Sequence, residues 1–81
     1  MDKAIKEEVR RQIKMEFFGD ANKELRTDND YTSLSIDFEK ISKMLNINTL
    51  KRFFDHWGKG IDYKFSNATL DAIAGYIGYS D

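Results

Sequence analysis

The sequence predicts an all-α fold, a compact bundle of four helices, or of five if a polar connection adds one short helical turn. Three observations predict this fold. Apolar residues recur every three or four positions in four separate segments. Proline is absent, which suits uninterrupted helices. A chain of 81 residues is long enough for one domain with one modest core.

The first segment, residues 1–19, predicts a helix with one narrow apolar stripe. Asp2 can cap its beginning, and Gly19 is suited to a left-handed stop. The stripe has a spacing of four and consists of Ile5, Val9, Ile13 and Phe17. A polar connection follows, in which residues 21–25 could form the fifth helical turn.

Two further stripes predict helices that meet at a tight corner. For the second helix Ser35 is the candidate N-cap, and its stripe is Leu34, Phe38, Ile41 and Leu45. Asn46 tolerates the left-handed conformation and is expected to end this helix. The third helix would be capped by Asn48 or Thr49 and stopped by Gly58, with the stripe Leu50, Phe53, Phe54 and Trp57. A separation of only two to four residues is typical of a helix-turn-helix.

The last stripe predicts a fourth helix, formed by Leu70, Ile73, Ala74 and Ile77. Ser66 or Asn67 would cap it, Gly78 would follow it in a left-handed conformation, and Tyr79 would fold back onto its final turn. The preceding loop contains residues 61–65, where apolar and polar residues alternate, so a brief strand stays open there.

We expect the last three helices to share one core, because helices this short are unstable alone. Its predicted members are Leu34, Phe38, Ile41, Leu45, Leu50, Phe53, Trp57, Leu70, Ile73 and Ile77. Trp57 is interpreted as a core residue rather than a stacking surface. The tyrosines are expected at the rim of the core, at positions 31, 63, 76 and 79.

Composition excludes several classes of protein. Without cysteine and with one histidine, the chain has neither disulfides nor a familiar zinc-ligand set. It has no apolar run of about 18 residues, and its charged first residues lack a signal-peptide core. We therefore expect a soluble cytoplasmic protein that is not an enzyme, uses no cofactor or metal, binds no small-molecule ligand and does not enter a membrane.

The net charge of −1 counts against a strongly basic nucleic-acid binder, but residues 46–66 are locally positive. In the DNA-binding interpretation, Arg52 would donate to guanine and Asn48 would bind adenine. Phosphate contacts would come from Thr49, Lys51, His56, Lys59 and Lys64. Asp55 lies in the middle of this face and would repel phosphates. The simpler interpretation, a solvated helix face, stays open.

Two pieces of the chain carry a resemblance. The stretch FEKISKMLNINTLKRFF, residues 38–54, resembles the helix-turn-helix core of lambda-repressor-like, Xre/Cro-type DNA-binding domains. The stretch FSNATLDAIAGYIGYSD, residues 65–81, resembles the helix that follows that core. A closer resemblance is to bacterial proteins, mostly uncharacterised, that pair a TLKRLF-like helix with a TLD-x-IA-x-Y-x-GY helix; here these read NTLKRFF and SNATLDAIAGYIGY.

The resemblance covers roughly residues 34–80 and implies double-stranded DNA as the partner of a bacterial transcription regulator. The length predicts that residues 1–81 form a single helical domain. In the proteins it resembles this segment heads a longer chain, so we expect the N-terminal module of a longer protein, and a complete short protein stays open. Ser42 stands at the usual small-residue position and Asn46 at the turn glycine, but the spacing from Asn46 to Leu50 is about two residues shorter than usual. A tightened corner would rotate the third helix away from a DNA groove.

Two alternatives follow. The chain could be a non-catalytic helical protein-interaction or structural module that has lost DNA contact. The helix at residues 1–19 could pack simply on the core, or it could lend its apolar surplus to a second copy in a homodimer.

Overall fold

The computed structural model of the chain describes residues 2–78, which form four helices. Helix α1 spans Lys3–Phe18, α2 spans Asp28–Ile41, α3 spans Ile47–Phe53 and α4 spans Asn67–Tyr76. Within these residues neither the short turn at 21–25 nor the alternating segment at 61–65 forms a helix or a strand. The predicted all-α bundle of four helices is confirmed.

Helix α1 begins and ends where the sequence predicts. The Asp2 carboxylate accepts a hydrogen bond from the Ala4 N–H at 3.1 Å, and Gly19 adopts a left-handed φ of 72° while its N–H donates to the Met15 carbonyl. Ile13 is fully buried. Ile5, in contrast, is 56% exposed, so the first member of the apolar stripe does not pack into the core.

Helix α2 begins seven residues before the predicted cap at Ser35. Its N-cap is Thr27, whose hydroxyl accepts from the Asp30 N–H at 3.2 Å while the Asp30 carboxylate accepts from the Thr27 N–H at 3.0 Å. This reciprocal capping box satisfies two backbone donors and fixes the earlier start. The prediction for Ser35 is wrong: its hydroxyl lies inside α2 and donates to the Leu45 carbonyl at 2.6 Å.

The corner between α2 and α3 is residues 42–46, which is longer than the predicted two to four. Asn46 does not end α2 in a left-handed conformation. It is the N-cap of α3, with φ −61° and ψ 143°, and its side-chain oxygen accepts from the Asn48 N–H at 2.8 Å. The Ser42 hydroxyl donates to the Ala72 carbonyl of α4 at 2.9 Å. The corner is therefore tied to α4.

Helix α3 ends at Phe53, well before the predicted stop at Gly58. The His56 N–H donates to the Lys51 carbonyl at 2.9 Å, and the Asp55 N–H donates to the Arg52 carbonyl at 3.3 Å. These two bonds form a Schellman motif around Asp55, whose φ is 54°. Aspartate tolerates this left-handed conformation better than most residues.

The early end of α3 takes Trp57 off the helical stripe. Trp57 is 51% exposed, so the prediction that it belongs to the core is wrong. Ile41 is also exposed, at 47%, because it is the last residue of α2 and the buried position passes to Leu45 in the corner. Both corrections arise from helices that end earlier than the apolar spacing suggests.

The core surrounds α2, which packs on both α3 and α4. Six of the ten predicted core residues are buried, namely Leu34, Phe38, Leu45, Leu50, Phe53 and Ile73. Leu70 and Ile77 are half-buried. The largest addition to the predicted core is a pair of tyrosines, Tyr31 and Tyr76, which are 1% and 2% exposed rather than at the rim.

Tyr76 joins α4 to α2. Its ring is stacked on Phe38 with the centroids 4.0 Å apart and the planes parallel within 1°, and its hydroxyl donates to the Asp37 carboxylate. Burial of the phenol, with a smaller contribution from the bond to Asp37, raises the pKa of Tyr76. The phenol therefore stays protonated and keeps its hydrogen bond at any physiological pH.

The ends of α4 match the prediction. The Ser66 hydroxyl accepts from the Thr69 N–H at 3.2 Å, and Gly78, which follows the C-cap Ile77, has a φ of 81°. The predicted packing of Tyr79 lies outside the described residues. None of the helices in residues 2–78 has both the length and the apolar character needed to cross a bilayer.

Gly75 gives a stability prediction. Alanine in place of an interior helix glycine normally stabilises by about 1 kcal/mol, but a Cβ on Gly75 would overlap Ser42 Oγ and lie 3.3 Å from Ser42 Cβ. Overpacking costs roughly 1–3 kcal/mol. We therefore expect Gly75→Ala to lower the free energy of unfolding by about 1 kcal/mol, measured by urea titration.

The matched control is the same substitution in a Ser42→Gly background, where the obstructing atoms are gone. There Gly75→Ala should be neutral or stabilising. Equal costs in both backgrounds would contradict the contact, because non-additivity is the signature of a shared site.

Candidate nucleic-acid interface

Helix α3 exposes a narrow polar face. It has seven residues, about two turns, and it buries Leu50 and Phe53 against the core. Asn48 and Arg52 are four positions apart and both exposed, so they lie next to each other on the outer face. Thr49 is half-buried beside them. Of the predicted site residues, Asn48 and Arg52 form the helical part of the face.

Lys51 is placed differently from the prediction. It is only 8% exposed, and its Nζ lies 2.5 Å from Oδ1 of Asp28 in the first turn of α2. The same ammonium is 5.9 Å from the centroid of the Tyr31 ring and 5.7 Å from that of Trp57. The expectation that Lys51 faces phosphates is wrong, because its ammonium links α3 to α2.

The Lys51–Asp28 contact perturbs the carboxyl. The hydrogen bond from Lys51 and, to a smaller extent, its charge hold the pKa of Asp28 below the ordinary value of 3.8. Asp28 is thus ionised at neutral pH, and its negative charge is balanced by a cation of the fold.

Asp55, which would repel phosphates, also has a cation beside it. Nη2 of Arg10 in α1 lies 3.1 Å from Oδ2 of Asp55. This is an ion-pair contact without hydrogen-bond geometry, since the buried Nη2 makes no hydrogen bond. Arg10 Nε donates to the Phe53 carbonyl at 2.6 Å. Arg10 Nη1 also donates to Glu7 Oε1 at 2.6 Å, so Arg10 caps the end of α3 and shares its charge between Asp55 and Glu7.

The other predicted site residues lie beyond α3. His56 is exposed, and its ring meets the edge of Tyr31 with centroids 5.1 Å apart. Lys59 stands between Gly58 and Gly60, whose φ values are 138° and 86°. Lys59 and Lys64 are both exposed in the loop that leads to α4. The predicted recognition helix over residues 48–58 is thus a short helix followed by a basic loop.

Sequence reasoning missed the two roles that determine this surface. Arg10 is separated from Phe53 by 43 positions, and no local spacing could connect them. The exposure of Trp57 was missed because Leu50, Phe53, Phe54 and Trp57 match a helical stripe. An aspartate in place of the usual left-handed glycine hid the end of the helix.

Other chemistry is not evident in the described part of the chain. No three histidine, aspartate or glutamate side chains in residues 2–78 come together as metal ligands would. A cleft of about 870 Å³ lies between α1 and the loop at 54–62, and its lining carries basic and acidic side chains in nearly equal number. A lining with both charges in nearly equal number favours neither an anionic nor a cationic ligand.

Comparison with known proteins adds no relative: no family model matches the chain, and no match is found among curated proteins or solved structures. Functional interpretation therefore rests on the residues and their geometry.

The Lys51–Asp28 contact can be tested by titration. We expect the pKa of Asp28 to lie below 3.8 in the wild-type chain and to return toward that value in Lys51→Met, which removes the donor and its charge. Because the folded pKa is lowered, the pair stabilises the fold above the unfolded pKa, and the stabilisation is lost as pH falls through the folded pKa. NMR titration of the carboxyl carbons measures both variants.

Asp30 is the internal control. Its pKa is lowered by backbone N–H groups of Thr27 and Arg26, so Lys51→Met should leave it unchanged. An Asp28 carboxyl that titrates identically in both proteins would mean that the contact is not made in solution.

Proposed function

We propose that the chain is a non-catalytic DNA-binding domain of a bacterial transcription regulator in the cytoplasm, with α3 and the loop after it meeting a DNA duplex. One observation carries this proposal. The two carboxylates that border α3, Asp28 and Asp55, each have a cationic partner in the fold, whereas Arg52, Lys59 and Lys64 take part in no ion pair among residues 2–78.

Arg52, Lys59 and Lys64 are thus available to phosphates, and Lys59 shares the loop side of the mixed-charge cleft with the exposed acid Asp62. Phosphate neutralisation supplies most non-specific affinity for DNA. The exposed His56 and the half-buried Thr49 are polar groups that can add phosphate contacts. The surface therefore fits an anionic partner, such as the duplex backbone, better than it fits a basic or neutral one.

Base reading would be limited to α3. Arg52 can donate to guanine and Asn48 can pair with adenine in the major groove, and the five-residue corner leaves both side chains exposed. A helix of two turns offers few such contacts. We therefore expect binding dominated by phosphates, with a dissociation constant of about 10⁻⁴–10⁻⁶ M at physiological salt on non-specific duplex.

A helical protein-interaction module is the second candidate, and exposed apolar side chains favour it. Besides Trp57, the large apolar residues Ile36, Ile41 and Met44 are 49%, 47% and 65% exposed. Ile41 ends α2, and Met44 lies in the corner between α2 and α3. Clusters of exposed apolar surface commonly mark protein contacts, so this function takes precedence if duplex binding is absent.

The proposal is tested with a labelled duplex by fluorescence anisotropy. Arg52→Ala and Lys59→Ala should each weaken binding and should reduce the slope of log K against log salt by about 0.9, the value for one lost phosphate contact. Neither change should alter the thermal melt, because both side chains are exposed and unpaired in the described fold.

Lys23→Ala is the matched control, because it removes the same charge from an exposed position in the connection between α1 and α2. It should leave the affinity nearly unchanged. Equal losses from all three variants would mean that only total charge matters. Absence of binding at about 10⁻³ M protein, above the usual non-specific range, would refute DNA binding and support the interaction module.

A further inference from the structure

A line of exposed residues along α1 is complementary to itself when reversed. Ala4, Glu8, Arg11 and Met15 follow one another at spacings of four, three and four, so they lie in a row on the helix surface. All four are exposed, and Met15 is 46% exposed although it is a large apolar side chain. The order is apolar, acidic, basic, apolar. In the reverse direction, acid and base exchange places.

This row borders an apolar groove. The groove lies between α1 and α4, has a volume of about 490 Å³, and takes its apolar lining from Ile5, Val9, Leu70, Ile73, Ala74 and Ile77. Ile5 is more than half exposed on the α1 side. Ala4 and Glu8 of the row also line the groove. Ala4, Glu8 and Arg11 also line the charged cleft beside the loop at 54–62, so the row lies between that cleft and the apolar groove and is continuous with the groove at Ala4 and Glu8.

We propose that a second copy of this chain covers the groove, with the two α1 helices antiparallel and a two-fold axis passing between residues 9 and 10. In this arrangement Glu8 faces the partner's Arg11 and Arg11 faces the partner's Glu8. Ala4 faces the partner's Met15, so a small side chain meets a long flexible one. A two-fold axis requires a surface that matches itself, and this row meets that requirement at four positions.

The charges needed for this pairing are present in the single chain. Arg11 donates to Glu8 at 3.1 and 2.7 Å, and the hydrogen bonds from Arg11 and Gln12 lower the pKa of Glu8 to about 2. The carboxylate is therefore ionised at any physiological pH. In the dimer two such pairs lie side by side, and each arginine fork can reach a carboxylate of the partner as well as its own.

The interface would be small. Helix α1 has sixteen residues, a length of about 24 Å, and interfaces of this extent belong to the weak class. Sedimentation equilibrium of the 81-residue chain should show an average mass that rises with concentration from 9.5 kDa toward twice that value. A mass that stays at 9.5 kDa up to about 10⁻³ M, the weak end of measurable affinities, would overturn the proposal.

The antiparallel register is tested by two charge reversals. Glu8→Lys alone places an ammonium group opposite the partner's Arg11, and Arg11→Glu alone places a second carboxylate opposite the partner's Glu8. Each variant should self-associate roughly tenfold more weakly than the wild type, since two symmetric pairs become repulsive. In an equimolar mixture, the Glu8→Lys chain is positive at both positions and the Arg11→Glu chain is negative at both, so both contacts of the heterodimer are attractive. Association should return to near the wild-type level.

The mixture separates pairing from helix stability. Each substituted chain loses its own pair between positions 8 and 11, and mixing cannot restore that internal pair. Circular dichroism checks that both variants keep their helical content. If the single variants self-associate as strongly as the wild type, or if mixing them does not restore association, this register is refuted and the dimer contact lies elsewhere.

Glu39→Lys and Lys40→Glu provide the matched control. Both residues are exposed on α2, outside the groove, and the reversals change the net charge by the same amounts. Neither variant, alone or mixed, should differ from the wild type in self-association. A gain on mixing these two would show that bulk charge attraction, and not the α1 register, drives association.

Discussion

The close approach of Ser42 to α4 is the constraint on which the packing of the bundle depends. Ser42 bonds the Ala72 carbonyl and occupies the space that a side chain on Gly75 would need. With the corner held at this distance, Tyr76 in the next position can stack on Phe38 and bond Asp37. A bulkier residue at either contact would push α4 outward and would separate Tyr76 from Phe38 of α2. A serine and a glycine at this crossing thus position two large aromatic side chains.

Two long cationic side chains tie α3 to its neighbouring helices. Lys51 reaches α2 through Asp28, and Arg10 reaches from α1 to the Phe53 carbonyl and to Asp55. A helix of seven residues is too short to be stable by itself, so these attachments matter more here than on a longer helix. They also divide the basic residues into those that build the fold and those that remain available to a partner. A count of charges along the sequence cannot make this division.

The elements that the sequence predicted well are those with an apolar stripe and a glycine stop. Helix α1 ends at Gly19 and α4 is followed by Gly78, as expected from left-handed glycines. The start of α2 was missed because Thr27 and Asp30 form a capping box inside a polar run that precedes the apolar stripe. The end of α3 was missed because Asp55 takes the place of the glycine. The site was predicted less well than the fold. The partner of Lys51 is 23 positions away, and the burial of Lys51 follows only from the folded arrangement of α2 and α3.

Arg10 makes α1 and the end of α3 mechanically dependent on each other. Its guanidinium connects the two helices, because Arg10 belongs to α1 and its Nε donates to the last carbonyl of α3. Any event that shifts α1 along its axis would strain this bond and alter the left-handed turn at Asp55, and with it the direction of the loop that carries Trp57 and Lys59. Thermodynamic linkage makes such an effect reciprocal. DNA bound at α3 and a second copy bound along α1, the two partners proposed above, would then change each other's affinity by the same factor.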